Sequence, residues 1–338
     1  MRWVIVHPGP EFSVADVYAG WHEALKAQAQ QILEYRLHDR LAFFDNAYMR
    51  VDEGQFRKAV PTEDAVGAAV EGLYAWLYRT HPDVLLVVTG FLIPNELLDL
   101  ARKRGTKVVI LHTESPYEDE RQLAQAAHAD LNLINDPTNL DQFRAVAPTL
   151  YLPHAYRERR HTPGPATPGY VCDLGFVGTA FASRIRLFEQ MDLSGWDVLL
   201  AGNWQQLTAD SPLHKHVAHP SAECLPNGDT INVYRSARVG LNYYRREGDG
   251  GNDYAGWSMG PREVEMAAIG LPFARDPRPE GDGLFPMLPT FADPAEATDA
   301  VAWLLKQDRT ELSARVRAAV EDRTFTNNAR QLIKHLAA

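Results

Sequence analysis

Cysteine is scarce in this chain: its 338 residues hold two, Cys172 and Cys224. Two lone cysteines make neither a disulfide framework nor a paired-cysteine metal motif, and they fit a reducing compartment. Positive charge is also in deficit. Lys and Arg number 34 against 44 Asp and Glu, for a formal net charge of −10. A non-specific nucleic-acid binder would be basic, although a local basic cleft is compatible with this balance. No apolar run is long enough to cross a bilayer. The opening Met1-Arg2-Trp3-Val4-Ile5-Val6-His7-Pro8-Gly9 is short for a signal peptide and lacks a small-residue cleavage site. It reads as a first strand, and the expected location is the cytoplasm. Internal repeats and low-complexity tracts are missing. So is an Asp-x-Asp metal motif, since Asp249 and Asp253 stand too far apart.

What the chain has is alternation. Apolar strand-like runs at 3–7, 84–90, 107–113, 130–135 and 149–153, with 33–37 as a further candidate, alternate with helical spacing at 14–32, 64–78, 94–103, 120–128 and 139–145. A Pro/Gly/Arg-rich linker follows at 157–169. Strands then recur at 172–178, 196–202, 239–244 and 271–275, with helices at 181–191, 229–236 and 260–270 between them. Helices at 294–306, 311–321 and 326–336 close the chain. Continuous apolar strands between helices mean parallel sheets covered on both faces. The expectation is an α/β fold with a first domain at 1–156, a linker at 157–170, a second domain at 171–322 and a last helix at 323–338. Ligands of such sheets bind at the carboxyl ends of strands, which puts the expected site in the cleft between two domains.

The most informative stretch is Gly260-Pro261-Arg262-Glu263-Val264-Glu265-Met266-Ala267-Ala268-Ile269-Gly270. Pro just inside the start and Gly just past the end bound a helix. Its polar residues gather at the N-terminus, where unpaired N–H groups and the dipole favour an anion. Arg262 can fork onto a phosphate, and Glu265 can accept from ribose hydroxyls. A capped surface helix would also show acids in its first turn.

Other strand ends carry polar residues too. Gly178 and Thr179 precede Arg184; Gly202, Asn203 and Trp204 end one strand; Asn242, Tyr243, Arg245 and Arg246 lead into a Gly-rich loop at 247–256. Two arginines beside such a loop suit a diphosphate and a lid. Trp204 either covers a nucleobase or caps a core. In the first half, Gly9 and Pro10 follow the first strand, with Asp16 and His22 in the next helix. His112, Glu114 and Ser115 end a buried strand, and His154 ends another. Glu114 suits a general base or a hydroxyl ligand. His22 and His154 also read as structural histidines. The cluster Arg157, Arg159, Arg160 and His161 suggests either an anionic partner or a solvated linker.

The order of these motifs resembles the CgeB-like glycosyltransferases of the spore-maturation-protein type. The matching residues are Thr113-Glu114-Ser115-Pro116-Tyr117-Glu118, Tyr151-Leu152-Pro153-His154-Ala155, Phe176-Val177-Gly178-Thr179 with Arg184, Gly202-Asn203-Trp204, Leu241-Asn242, and Arg262 with Glu265 to Gly270. The resemblance covers about residues 83–335 and is more specific in the C-terminal half. It implies a GT-B fold: two Rossmann-like domains facing across a cleft, with the last helix crossing back to the first domain. It implies a nucleotide-diphosphate sugar, a UDP-sugar foremost, held mostly by the second domain, and no required metal or cofactor. Glu265 then resembles the acid that binds the donor ribose, with Arg262, Gly178, Thr179 and Arg184 near the diphosphate. Gly202, Asn203, Trp204, Asn242, Tyr243 and Arg245 complete the expected donor set. Gly9, Pro10, His22, His112, Ser115 and His154 make the expected acceptor set. The loop at 245–259 departs from the family pattern.

Sugar transfer develops oxocarbenium character at the anomeric carbon. The departing diphosphate needs fixed cations or helix N-termini. An inverting enzyme also needs a base near the acceptor hydroxyl, for which Glu114 is first choice and Asp16 second; a retaining enzyme needs no such base. The expected acceptor is a glycan, a protein or a modified nucleobase. Two rivals remain: a nucleotide-sugar epimerase of the same shape, acting on the donor alone, and a non-catalytic two-domain ligand-binding protein.

Overall fold

A computed structural model of the protein describes residues 1–9, 14–47, 49–52, 55–58, 62–219, 225, 228–247 and 256–337. The chain divides into two compact units. The first is Met1–Leu152 with Ala329–Ala338, and the second is Pro153–Asn328.

The first unit is built on a six-stranded sheet of β1 (Arg2–Val6), β2 (Gln31–Tyr35), β5 (Val84–Val88), β6 (Lys107–His112), β7 (Leu131–Ile134) and β8 (Thr149–Tyr151). All its pairings are parallel, in the order β2-β1-β5-β6-β7-β8. Between them run α1 (Val14–Ala27), α2 (Leu37–Ala47), α3 (Thr62–Thr80), α4 (Asn95–Lys103), α5 (Asp119–Ala126) and α6 (Leu140–Val146). Every residue of β5 is at most 1% exposed. Each such Val or Leu contributes about 2 kcal/mol of apolar burial, so the run is intelligible only with helices on both faces. The chain passes from β1 to β2 on one side, then returns across β1 to β5. The switch point therefore lies between β1 and β5, and the ligand crevice of this topology lies beyond their carboxyl ends.

The expected helical stretch at 14–32 is split. Ala29 takes φ 57°, which ends α1 and lets β2 begin at Gln31. That shifts the second strand from 33–37 to 31–35, and Leu37 starts α2 instead. A short antiparallel pair, β3 (Met49–Asp52) with β4 (Gln55–Lys58), was not expected either. Each strand is only four residues long, the shortest run over which alternation can be read.

The second unit has a four-stranded parallel sheet of β9 (Cys172–Val177), β10 (Val198–Ala201), β11 (Ala237–Asn242) and β12 (Phe273–Arg275), in the order β10-β9-β11-β12. Its helices are α7 (Ala182–Gln190), α8 (Thr230–Ser236), α9 (Pro261–Ile269), α10 (Pro279–Leu284), α11 (Pro294–Leu304), α12 (Arg309–Ala319) and the start of α13 (Phe325–Ala337). Here the switch point lies between β9 and β11. One apolar core joins Phe176, Phe188, Trp204, Leu241, Met266 and Phe273. Residues 329–337 of α13 belong to the first unit, where Lys107 Nζ donates to Leu336 O at 3.1 Å. No helix among the described residues is long and apolar enough to cross a membrane.

Candidate functional site

Helix α9 forms where its sequence says it should. Gly260 is extended, Pro261 is the first helical residue, and Gly270 ends it at φ 85°. This start carries Arg262 to the head of the sheet. Its Nε donates to Val177 O at 2.6 Å, and its Nη1 to Asn242 Oδ1 at 2.6 Å. One guanidinium thus ties the ends of β9 and β11, the two strands flanking the switch point. Arg184, on the first turn of α7, does the same from the other side. Its Nε donates to Tyr243 O at 3.0 Å and its Nη1 to Thr179 O at 2.9 Å. Both guanidiniums lie over Phe176, at 5.0 Å and 5.5 Å.

Gly178 sits between them. A β-carbon there would stand 2.6 Å from Arg262 Nη2 and 3.3 Å from Arg184 Nη1. The head of β9 therefore presents bare backbone beside two fixed cations, an arrangement suited to an anion. Asn242 is 1% exposed, and its Nδ2 has no partner among the described residues. Glu265 lies one turn beyond Arg262 and is half-buried. Tyr234 is buried near both. Burial pushes its phenol up, and the charge of Arg262 draws it partly back.

The remaining residues of the expected donor set divide. Gly202 takes φ 107° against the backbone of Gly178. Asn203 O accepts from Ala180 N–H at 2.8 Å, and its Oδ1 from Gln205 N–H at 3.2 Å. Trp204 lies in the core at 0% exposure, its Nε1 on Ala201 O and its ring edge-on to Phe176 and Phe188. Tyr243 stacks on Phe291, with Arg246 over its ring. Arg245 lies over Phe181. Residues 248–255 of the Gly-rich loop, Asp249 and Asp253 among them, lie outside the described residues, as does Cys224. The loop's leading residue is fixed: Glu247 accepts from Ser183 N–H at 2.7 Å and Ser183 Oγ at 2.9 Å, capping α7.

In the first unit, His112, Glu114 and Ser115 follow β6. His112 is wholly buried, and its Nε2 donates to Asn132 Oδ1 at 2.8 Å. The opposite end of that amide donates to Ala126 O, which fixes its orientation. Burial pushes the imidazole down to about 4. Glu114 is half-buried, with its N–H on Gln122 Oε1 at 3.0 Å. Ser115 Oγ donates to Asp119 Oδ1 at 2.5 Å. Gly9 N–H donates to His7 Nδ1 at 3.2 Å at the end of β1. Asp16 is in the first turn of α1, and His22 pairs with Glu34 at 3.2 Å. Pro10 lies outside the described residues, and His154 falls in the second unit. Of the linker cluster, Arg159 is exposed and Arg157 half-buried. Arg160 donates to Gly228 O at 2.9 Å, and His161 is buried.

Sequence reading missed a set of ion pairs beside α9, each with one buried partner. Glu280 accepts from Met259 N–H at 2.9 Å and pairs with Arg323 at 2.6 Å. Arg246 pairs with Asp276 at 2.9 Å, and Arg275 with Asp282 at 2.6 Å. Glu263, wholly buried, accepts from Gly260 N–H at 2.8 Å and from the Tyr244 hydroxyl. The signal was legible in principle. The run Arg275-Asp276-Pro277-Arg278-Pro279-Glu280 packs opposite charges against a strand end.

Residues 184–334 match a family model described as glycosyl transferase-like. No curated protein matches the chain. Among solved structures, a sucrose-phosphate synthase from Thermosynechococcus elongatus is similar, with 12% identity, a TM-score of 0.66 and 99% of each chain covered. AviGT4, a glycosyltransferase of avilamycin A biosynthesis, aligns at 13% identity and TM-score 0.62, over 99% of this chain and 96% of its own. A UDP-N-acetylglucosamine 2-epimerase aligns at 15% and 0.61, over 99% and 95%. The chain has the GT-B fold of these solved structures, and the similarity to the glycosyl transferase-like model lies in its C-terminal part.

Proposed function

We propose that this protein is a glycosyltransferase that moves a sugar from a nucleotide-diphosphate sugar to an acceptor hydroxyl. The observation that carries the reading is Arg262, which joins the ends of β9 and β11 at the switch point inside the segment that matches the glycosyl transferase-like family. Transfer leaves negative charge on the departing diphosphate. Arg262, Arg184 and the bare backbone at Gly178 are fixed before the reaction and need no reorganisation to meet it. Glu265 takes the ribose. Trp204, sealed in the core, acts by packing. UDP is the first nucleotide to try, since the similar epimerase is named for a UDP-sugar. In finer placement the motif order supports a CgeB-like enzyme without a required metal; the scarcity of cysteine fits a cytoplasmic one. The acceptor is a glycan, a protein or a modified base. Glu114 is the proposed base, with Asp16 in reserve.

The likeness to an epimerase supports a second reading, in which the donor alone is the substrate. Incubation with UDP-sugars, without acceptor, separates the two by proton NMR. A transferase leaves the sugar configuration intact and releases UDP slowly by hydrolysis. An epimerase gives a second UDP-sugar.

A further inference from the structure

Glu263 has a carboxylate at 0% exposure on the first turn of α9, next in sequence to Arg262. Its Oε2 joins two elements, accepting from the hydroxyl of Tyr244, just past β11, and from Gly260 N–H at 2.8 Å. Oε1 has no partner among the described residues. Neither do Nε and Nη1 of Arg275, at the end of β12, which is 2% exposed. The groups around the carboxylate come from every neighbouring element. Tyr244 faces it from the end of β11, Arg262 from α9 and Arg275 from β12. Behind Tyr244 lie Arg278, 4.4 Å from its ring, and Asp276, which accepts its N–H at 3.4 Å. From α10 come the backbone of Gly281 and the carboxylate of Glu280, itself tied to Met259 and Arg323.

A glutamine could accept the same hydrogen bonds. What an acid adds is a charge beside the arginine that faces the anion site. We propose that Glu263 is a positioning residue of that site: it fixes the first turn of α9, and so Arg262, against the end of β11, and it takes up a proton when an anion settles at Arg262. This rests on the nucleotide-binding reading above. Ionised Glu263 draws support from Arg275 and Arg262. An incoming diphosphate competes for Arg262 and adds like charge in a region closed to water, which favours the neutral acid. Burial already pushes this carboxyl up to about 7, against the pull of Tyr244, Gly260, Arg275 and Arg262. The uptake therefore falls in the neutral range.

The test is calorimetric titration of UDP at pH 7.5 in buffers of differing ionisation enthalpy. Wild type is expected to take up about half a proton more than Glu263→Gln; the titration of UDP itself is common to both and cancels. Glu263→Ala, which loses the cap, is expected to bind UDP at least tenfold more weakly. Glu263→Gln restores most of that affinity but not the proton. Tyr244→Phe removes a donor to the ionised form, so the pH midpoint of UDP affinity moves upward. Equal proton uptake in wild type and Glu263→Gln overturns the proposal. If Glu263→Gln does not fold, an unmoved midpoint in Tyr244→Phe overturns it. Failure of UDP to bind folded wild type is a different result: it removes the nucleotide reading, and this inference with it.

Discussion

The α-carbon of Gly202 lies against the backbone of Gly178. A β-carbon on Gly202 would stand 2.5 Å from Gly178 O and 2.9 Å from Gly178 N, and the residue already takes φ 107°. Neither obstacle is a flexible side chain that could move aside. Gly202→Ala is therefore expected to destabilise the protein by about 3 kcal/mol and to displace the strand end that carries Gly178. Urea unfolding followed by circular dichroism measures it. A variant within 0.5 kcal/mol of wild type, the usual range of a harmless surface change, would contradict the packing described.

Arg262→Lys keeps the charge and loses the fork. The two acceptors, Val177 O and Asn242 Oδ1, are met by two different nitrogens of the guanidinium, and a single amine has no such planar fork. With the amine on Val177 O, Asn242, 1% exposed, loses the partner of its amide oxygen while its Nδ2 already has none among the described residues. The expected cost is about 2 kcal/mol in the absence of any ligand. Melting of the ligand-free proteins checks it, and an unchanged transition would mean that the guanidinium holds nothing together.

Much of this was legible in the sequence. The alternation at 84–153 gave parallel strands because buried runs such as Val84 to Val88 have no other use. The Gly-Pro start and Gly stop of α9 were readable because each obeys a backbone constraint of its own. Trp204 was ambiguous because an aromatic after a strand-ending glycine has the same pattern on a surface as in a core. Only three-dimensional packing, with Phe176 and Phe188 against its ring, decides it. Glu263 was passed over as a first-turn acid. Its burial depends on Tyr244 and Arg275, which the chain brings from two other strands.

Two buried groups pull the pH dependence of stability in opposite directions. Burial holds His112 down to about 4, below its ordinary 6.5. The unfolded chain then binds more protons, so the contribution of His112 is lost as pH falls from 6.5 towards 4. Burial holds Glu263 up at about 7, above its ordinary 4.5. The folded chain then binds more protons, so Glu263 reduces stability as pH rises from 4.5 to 7. Each amounts to about 3 kcal/mol across its window. In wild type they largely offset. Glu263→Gln should make stability rise more steeply from pH 4.5 to 7 than in wild type. Parallel wild-type and variant curves would contradict this.

Glu114→Gln is expected to lower turnover on a UDP-sugar by about 10²- to 10⁴-fold, the usual share of a general base. UDP affinity should stay within twofold, because Glu114 follows β6 in the first unit whereas the proposed donor residues lie in the second. Steady-state release of UDP measures the first and calorimetry the second. Undiminished turnover would exclude Glu114 as the base.

The most direct test of the nucleotide-binding claim is a thermal-shift panel of nucleotides and nucleotide-sugars on wild type and Glu265→Ala. A ligand at a hundred times its dissociation constant adds about 2.7 kcal/mol, a readily visible shift. Stabilisation by one nucleoside-diphosphate family, lost in Glu265→Ala, is the expected result. A wild-type protein that melts cooperatively and shifts with none of them would contradict it.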